Sequence, residues 1–415
     1  MGRHPVSRVF DLDFGRPSAR PFLRDWVVFK LAKHNVVGMS EKPGREFKIL
    51  CVDGGGIKGT YSAFLLAALE KQLAGGKSLG QFFDMVTGTS TGSLIALGLA
   101  AGRTAKEIAD AYEKDGGKIF CDHGFFHRSA RTIRQLFTHA RYHPKQLEAT
   151  LHELLKEKTL SDAVNYVCVP VTVINNYAPR VYKTRHSQSH SWNNVTLKHL
   201  ALASSAAPTF FPLVESEAVE GTLYADGGLF ANNPSLVALI EALRIFVGPD
   251  SERKEFDSVS ILSIGSFPSQ VSFTLSSWRK WSILPPRWRK HLASNWRSRP
   301  IRGWMWPTGG TPPLVDVLMQ VQGKYVEFVL PILQSALASK FSSYVRLDAT
   351  TCKAGKATAA NNLAAFSLAD GRPSQIAEMK RLGVNDGLTS ASDAQVKHFF
   401  ASLAAPIILH PHPTN

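Results

Sequence analysis

A Gly-x-Ser-x-Gly pentapeptide constrains this chain more than any other stretch. Within residues 84–97 an apolar run ends at Gly88, Ser90 follows, and an apolar, Ala-rich segment begins directly after Gly92. This order predicts a strand, a sharp turn and a helix, with Ser90 at the apex, where the helix N-terminus stabilises an alkoxide or oxyanion. The two glycines allow a tight turn and close packing of the helix on the strand. Taken alone, the pentapeptide fits a plain turn capping a buried helix equally well.

A second strand, loop and helix unit lies upstream. An apolar run over residues 47–52 leads to Asp53, three glycines and Lys58, and leucines at helical spacing follow over residues 61–73. The loop satisfies G-x-G-x-x-G, so a dinucleotide site has to be considered, but Asp53 would place a carboxylate near the pyrophosphate. A P-loop is excluded because Lys58 precedes Gly59. The N–H groups of Gly54, Gly55 and Gly56 would suit an anion, including the oxyanion of acyl transfer.

A third element is Asp226-Gly227-Gly228, which follows an apolar run. Asp-Gly is common in turns and needs no further explanation by itself. An activated serine, however, needs a base within hydrogen-bond reach. Because Asp226 ends an apolar segment, we expect its carboxylate at the same carboxyl edge of the sheet as Ser90 and the glycine loop.

Strand and helix patterns alternate over residues 47–267, which predicts one α/β domain with a largely parallel sheet. Further helices are predicted at 104–114, 144–157, 197–204, 233–246, 314–337 and 394–403, and further strands at 167–174, 180–183, 223–225 and 259–264. Residues 1–46 are basic and rich in proline, which predicts an N-terminal extension. The Ala-rich tail beyond residue 350 gives a less decisive pattern.

Composition limits the cellular setting and the partners. The formal net charge is +15, which favours an anionic partner such as a membrane surface, a nucleic acid or a nucleotide. The four cysteines (Cys51, Cys121, Cys168 and Cys352) lie far apart without a C-x-x-C pair, which argues against a disulfide framework or a zinc knuckle. No signal peptide and no membrane-spanning apolar window is found. We therefore expect a cytoplasmic protein without a metal or an organic cofactor.

The three motifs, in this order, resemble those of the patatin-like phospholipase family. The similarity covers residues 46–345 and extends to the segments 160–163, 179–184, 203–208 and 232–234. Ser93 departs from the pattern, because the family usually has another glycine there. The resemblance implies a three-layer α/β/α hydrolase fold with a mostly parallel central sheet. It places the family domain at 47–347 and leaves 348–415 as a C-terminal segment.

The resemblance also implies a hydrolase that cleaves acyl esters of membrane phospholipids with a Ser-Asp dyad. Ser90 would be the nucleophile and Asp226 the general base. Gly54, Gly55 and Gly56 would form the oxyanion hole, and Lys58 would take the basic position of that motif. The supporting glycines would be Gly88, Gly92, Gly227 and Gly228. A carboxylate can activate a hydroxyl directly if partial burial raises its proton affinity.

Two alternatives remain open at this stage. The first is a Ser-His-Asp esterase, since the chain has fourteen histidines. Those in polar or basic surroundings, such as His186, His190 and His291, are expected to be solvated or structural. The second is a non-enzymatic module that binds a nucleotide or nucleic acid through the glycine loop and a downstream Trp/Arg-rich segment.

That Trp/Arg-rich segment is an insertion at residues 278–306, with eight basic residues and six of the eight tryptophans. It fits a packed subdomain with a basic face, a nucleic-acid surface, or an interfacial element with tryptophans at headgroup depth. For a phospholipase the membrane interpretation is favoured, and no stable nucleic-acid complex is expected. The residues predicted to contact a membrane or an anion are Trp278, Arg279, Trp281, Arg287, Trp288 and Arg289.

A narrower resemblance concerns regulation. Residues 142–184 are similar to the bacterial patatin-like effectors that cyclic dinucleotides switch on in anti-phage signalling. An unregulated phospholipase would damage its own cell, so an off state is expected. The resemblance implies a cyclic dinucleotide as activator, and an enzyme that is cytoplasmic and peripheral at the inner membrane when active.

Overall fold

The structure is a computed structural model, and it describes residues 44–120, 142, 144–187, 194–208, 210–267, 313–349, 352 and 371–409. Most of the predicted N-terminal extension and the whole Trp/Arg-rich segment lie outside these residues. The described residues from Gly44 onward form one compact unit.

A mixed sheet of eight strands forms the centre of the described residues. The strands are β1 (Glu46–Val52), β2 (Met85–Gly88), β3 (Tyr166–Val173), β4 (Ala178–Lys183), β5 (Val214–Glu215), β6 (Leu223–Asp226), β7 (Ser258–Ile264) and β8 (Phe341–Leu347). Their order is β5-β6-β3-β2-β1-β7-β8, and β4 also pairs with β3. The pairs β1/β2, β1/β7, β2/β3 and β7/β8 are parallel, whereas β3/β4, β3/β6 and β5/β6 are antiparallel. The predicted mostly parallel sheet is confirmed.

Helices cover both faces of this sheet. They are α1 (Gly59–Leu73), α2 (Thr91–Ala100), α3 (Ala105–Ile119), α4 (Lys145–Leu155), α5 (Leu197–Ser204), α6 (Gly228–Ala231), α7 (Ser235–Ile245), α8 (Pro313–Ala336), α9 (Pro373–Ser390) and α10 (Ala394–Phe399). The side chains of β1 alternate between the faces: Leu50 and Val52 join one apolar core, and Ile49 and Cys51 join the other. The first core contains α1 to α3 and α9, and the second contains α7 and α8. This arrangement confirms the predicted three-layer α/β/α architecture.

Strand β3 pairs with other strands along both of its edges, and this pairing places the ends of β2 and β6 near each other. β4 pairs with β3 from Cys168 to Val173, so β2 and β6 both use the opposite edge. On that edge β2 pairs in parallel up to Cys168, and β6 pairs antiparallel from Val173 back to Val171. The two strands therefore run toward each other along one edge of β3, and Asp226 at the end of β6 approaches the end of β2.

The sequence did not predict the short elements β5 and α6, nor two longer ones, β8 and α9. Helix α9 carries Gly383 and Gly387, which lower intrinsic helix propensity. These glycines face α1 so closely that a Cβ at Gly387 would lie 2.6 Å from the carbonyl oxygen of Leu65. The hydroxyl of Tyr61 on α1 donates a 2.8 Å hydrogen bond to the buried carboxylate of Asp386. The C-terminal residues 371–409 thus pack on the domain, and the predicted boundary at residue 347 stays a prediction.

Candidate active site

Ser90 occupies a strained turn between β2 and α2, as the pentapeptide predicted. Its backbone angles are φ 53° and ψ −128°, a region that side-chain-bearing residues rarely adopt. A Cβ at Gly88 would collide with the carbonyl oxygen of Gly92, and one at Gly92 would collide with the carbonyl oxygen of Val52. Both glycines are therefore required by close backbone contacts. The turn places the largely buried Ser90 at the N-terminus of α2.

Hydrogen bonds hold this turn from both sides. The Ser90 N–H donates to the hydroxyl of Ser204 at 3.1 Å, and that hydroxyl donates to the carbonyl of Pro170 at 2.8 Å. Ser93, where the family usually has glycine, donates its hydroxyl to the Ser90 carbonyl at 2.6 Å. This departure from the family pattern therefore adds a hydrogen bond to the turn.

Asp226 lies at the end of β6 with its carboxylate fully buried. Its Oδ1 accepts a 2.6 Å hydrogen bond from the Gly228 N–H, and Oδ2 has no hydrogen-bond partner among the described residues. Gly227 packs directly on the carbonyl oxygen of Pro170, which leaves no space for a side chain. Burial raises the pKa of Asp226 to about 7, although the Gly228 N–H and the Ser90 hydroxyl both lower it.

The Ser90 hydroxyl and the Asp226 carboxylate lie close together without a formed hydrogen bond between them. The Ser90 hydroxyl is near enough to lower the pKa of Asp226, yet the two side chains do not meet the geometry of a formed hydrogen bond. Catalytic hydrogen bonds are often long in unliganded enzymes and tighten when substrate binds. The carboxylate is therefore placed to receive the serine proton after a small movement.

The glycine loop follows β1 beside Ser90. Gly54 packs on the side chains of Asn232 and Ser90, and a Cβ there would lie 3.3 Å from the Ser90 Cβ. Its N–H donates to the Asn232 carbonyl oxygen at 3.0 Å, so in this conformation it is not available to an oxyanion. Among the described residues, the N–H groups of Gly55 and Gly56 have no hydrogen-bond acceptor. The predicted donor set of three is thus reduced to two in this conformation.

The charged residues beside the loop form a buried network. The guanidinium of Arg346 on β8 grips both carboxylate oxygens of Asp53, at 2.9 and 2.6 Å. It also contacts Glu327 of α8 at 3.1 Å and Asp348 at 3.2 Å. Lys58 is buried nearby and donates to the Phe267 carbonyl at 3.4 Å.

A single cavity is lined by Ser90, the three glycines of the loop and the charged network. The rest of its described lining is largely apolar and comes from α2, α3, α4 and the chain after α5: Leu94, Ile119, Phe120, Leu147, Leu154, Phe210 and Phe211. Helix α8 contributes Met319, Gln320, Gly323, Lys324 and Glu327. An apolar wall next to a serine and free N–H groups suits an acyl chain bound beside its ester.

The structure brings most of the predicted site residues together, namely Ser90, Asp226, the glycine loop, Lys58 and the four supporting glycines. The six predicted contact residues of the Trp/Arg-rich segment (Trp278, Arg279, Trp281, Arg287, Trp288 and Arg289) lie outside the described residues, as do His190 and His291. His186 is buried away from the cavity, with its ring nitrogens bonded to Thr184 and Glu241. No histidine in the described part of the chain lines the cavity.

Three contributors were missed from the sequence: Ser204, Asn232 and Arg346. Ser204 and Asn232 lie in segments that resembled the family, but nothing in the sequence indicated their partners.

In the described ranges, no group of three acidic, His or Cys side chains could hold a metal ion. Nor do these ranges contain a helix with the length and apolar character that crossing a bilayer requires.

The fold and the arrangement of these side chains define a three-layer α/β/α hydrolase. The family model for patatin-like phospholipase matches residues 50–239. A cGAMP-activated phospholipase of Vibrio cholerae is 35% identical over 242 residues, which cover 56% of this chain and 67% of that protein. A cGAMP-activated phospholipase of Escherichia coli is 30% identical (59% and 69% covered), and patatin-like protein 2 of Arabidopsis thaliana is 29% identical (74% and 77% covered). The chain belongs to the patatin-like phospholipase family, and it is a lipid acyl hydrolase.

The raised pKa of Asp226 predicts a pH-dependent cost in stability. An unfolded Asp ionises near pH 4, whereas the folded Asp226 holds its proton up to about pH 7. The stability that the protonated form contributes is therefore lost as pH rises from about 4 to about 7. Above the pKa of the folded state, Asp226 causes no further decrease in the free energy of unfolding. Asp226→Asn removes this dependence. Relative to wild type, its gain in the free energy of unfolding should be larger at pH 8 than at pH 5, by on the order of 2 kcal/mol.

Urea unfolding of both proteins at the two pH values measures this difference. Asp250→Asn, which changes an exposed carboxylate, is the control and should show no such change. An equal gain for Asp226→Asn at pH 5 and pH 8 would contradict a buried carboxyl that titrates near pH 7.

Proposed function

We propose that the protein hydrolyses acyl esters of membrane phospholipids with Ser90 as nucleophile and Asp226 as general base. The observation that carries this proposal is the buried Asp226 carboxylate beside Ser90, with a pKa of about 7 and with Oδ2 free of other described partners. A base with this pKa is half ionised near neutral pH and still accepts a proton readily.

The reaction follows from these positions. Ser90 Oγ attacks the ester carbonyl while its proton passes to Asp226, and the tetrahedral oxyanion accepts hydrogen bonds from the N–H groups of Gly55 and Gly56. Collapse of the intermediate breaks the ester C–O bond, and Asp226 returns the proton to the leaving lysophospholipid oxygen. A water molecule then attacks the acyl-Ser90 ester while Asp226 takes its proton. The acyl C–Oγ bond breaks, Asp226 returns the proton to Ser90 Oγ, and the fatty acid is released.

This mechanism predicts that Ser90→Ala and Asp226→Asn each lower kcat for phospholipid hydrolysis by about 10³-fold or more, because each removes an essential partner. Replacement of the described histidines by alanine (His152, His186, His199 and His398) should leave kcat per folded molecule within about threefold, since the ring of each contacts a glutamate and none is bonded to Ser90. Release of fatty acid from phospholipid vesicles is the measurement. A histidine whose loss matches that of Ser90 would replace the dyad with a Ser-His-Asp triad.

A fluorophosphonate probe separates the hydrolase from the non-enzymatic alternative in the same samples. Only an activated serine reacts with it, so wild type should label and Ser90→Ala should not. Unlabelled wild type that binds a nucleotide through the glycine loop would instead support a binding module.

Helix α8 supports a peripheral approach to the membrane. One face of this helix carries an exposed apolar stripe at i, i+3, i+4 spacing, which consists of Leu318, Val321, Tyr325, Phe328 and Ile332. These side chains are 47–69% exposed, and Phe328 is the most exposed of them. Lys324, adjacent to Tyr325 of the stripe in sequence, also lines the cavity, so the same helix carries the stripe and part of the cavity wall. Tyr and Phe next to a basic residue suit the headgroup boundary of a bilayer.

Negative charges introduced on this stripe should therefore impair binding to membranes and leave the hydrolysis of soluble esters unchanged. We expect Val321→Asp combined with Phe328→Asp to weaken binding to phosphatidylglycerol/phosphatidylethanolamine vesicles by at least ~10-fold, because two apolar contacts are lost. Hydrolysis of a short-chain water-soluble ester should be unchanged. The matched control, Ile240→Asp with Leu388→Asp, places the same charges on exposed apolar positions elsewhere. Equal vesicle binding by the two double variants would refute a role for the stripe.

Activation by a cyclic dinucleotide is proposed for the same enzyme. The support is the similarity of residues 142–184 to activated effectors and the two bacterial relatives named as cGAMP-activated phospholipases. In this proposal the enzyme is cytoplasmic, takes part in antiviral defence and moves to the inner membrane when active.

The expected result is low basal hydrolysis that one member of a cyclic dinucleotide panel raises, within the range of about 5–150-fold that is usual for an allosteric effector. Vesicle hydrolysis with each nucleotide, and with its linear form as control, measures this. High basal activity that no nucleotide changes would contradict regulation of this kind.

A further inference from the structure

The geometry points to Arg346 as a positioning residue, which fixes the glycine loop for catalysis through Asp53 without touching the substrate's reacting atoms. This inference rests on the proposed function, because it assumes that Gly55 and Gly56 bind the oxyanion. No sequence motif marked Arg346, which is on a strand that was itself not predicted.

The residue directly before the loop is held by both its backbone and its side chain. The Asp53 N–H donates to the Ile264 carbonyl of β7 at 2.9 Å. Both carboxylate oxygens of Asp53 accept from the fork of Arg346, and Arg346 Nη1 also donates to the Ser263 hydroxyl at 2.8 Å. With Asp53 fixed at both ends, the orientation of the N–H groups that follow it is restricted to a narrow range. Oxyanion stabilisation depends on donors that are oriented before the reaction begins.

The charges around Arg346 make this arrangement specific to an arginine. Burial works against the charged guanidinium, yet Asp53 and Asp348 beside it raise the pKa of Arg346 well above its usual value. Burial likewise raises the pKa of Asp53, and the contacts with Arg346 oppose that rise. The bidentate geometry requires an ionised Asp53 and a planar donor with two parallel N–H groups. A lysine would keep the charge but supply only a point contact.

Arg346 also links the loop to the cavity wall. Glu327 is on α8, lines the cavity and accepts from Arg346 Nη2, the same atom that holds Asp53 Oδ2. Glu327 is far from the glycine loop in sequence. Glu327→Gln should therefore weaken one contact of Arg346 Nη2 while the bidentate bond to Asp53 remains.

The test compares Arg346→Lys, Arg346→Met and Glu327→Gln with wild type and with the exposed control Arg381→Met. A short-chain water-soluble ester serves as substrate, and titration with a fluorophosphonate counts the competent sites, so that kcat is expressed per active serine. We expect Arg346→Lys to lower kcat per site by about 10²-fold, the usual loss for a misplaced oxyanion donor. KM should stay within about twofold, and the rate of phosphonylation should fall in parallel with kcat. Arg381→Met should stay near wild type, and Glu327→Gln should lower kcat per site less than Arg346→Lys does.

A purely structural role would give a different result. Fewer sites would titrate and the melting temperature would fall, but each remaining site would keep the wild-type kcat, and that outcome would overturn the inference. Arg346→Lys keeps the buried charge, so the test does not depend on whether Arg346→Met folds. Ser90→Ala in the same assay distinguishes a failure of the proposed function from a failure of the role proposed for Arg346. If it retains hydrolysis, the proposed function fails, whereas an inactive Ser90→Ala with an unaffected Arg346→Lys refutes only the role of Arg346.

Discussion

The contact on which this site depends is between two backbones. Gly92, in the first turn of α2, lies against the carbonyl groups of Val52 and Asp53 at the end of β1. Because β1 and β2 are parallel neighbours with Val52 opposite Gly88, their turns leave the sheet at the same edge. Any side chain at Gly92 would push the Ser90 turn away from the glycine loop. The distance between Ser90 and the N–H groups of the glycine loop, the proposed nucleophile and oxyanion donors, is therefore set by main-chain packing.

Asp226 reaches this pair by a route that the sequence does not indicate. The sequence predicts only that its carboxylate lies at the same edge of the sheet as Ser90 and the glycine loop. In the structure β6 is antiparallel to β3 and runs head-on toward β2, and extending the register of β2 by two residues beyond its end puts Ser90 level with Val171, the partner of Asp226. The two residues do come together, but the direction of β6 is fixed by hydrogen bonds to β3. No local pattern around residue 226 reports which way its strand will pair.

The same distinction between local and long-range contacts explains which other elements could be predicted from the sequence. The turn at Ser90, the leucine face of α1 and the strand before Asp53 follow from periodicity and glycine placement, and they could be predicted. Strand β8 contains two serines and an arginine in seven residues, which hides its apolar alternation, and the glycines of α9 make sense only against α1. Likewise, the partner of the Gly54 N–H is a carbonyl 178 residues later, at Asn232, and such a bond leaves no sequence signal.

The proposed mechanism requires two opposite electrostatic environments at one edge of the sheet. Asp226 must be poorly solvated and away from cations, since a guanidinium beside it would lower its pKa and remove its basicity. Asp53 must stay ionised and fixed, which requires that same guanidinium. The strand order satisfies both demands. At about 4.8 Å per strand, β8 lies roughly 14 Å from the position that β2 and β6 share beside β3. Arg346 therefore reaches Asp53, directly after β1, but stays out of range of Asp226. Burial, the bond from the Gly228 N–H and the nearby Ser90 hydroxyl then set the pKa of Asp226, and no cation is among the causes of its shift.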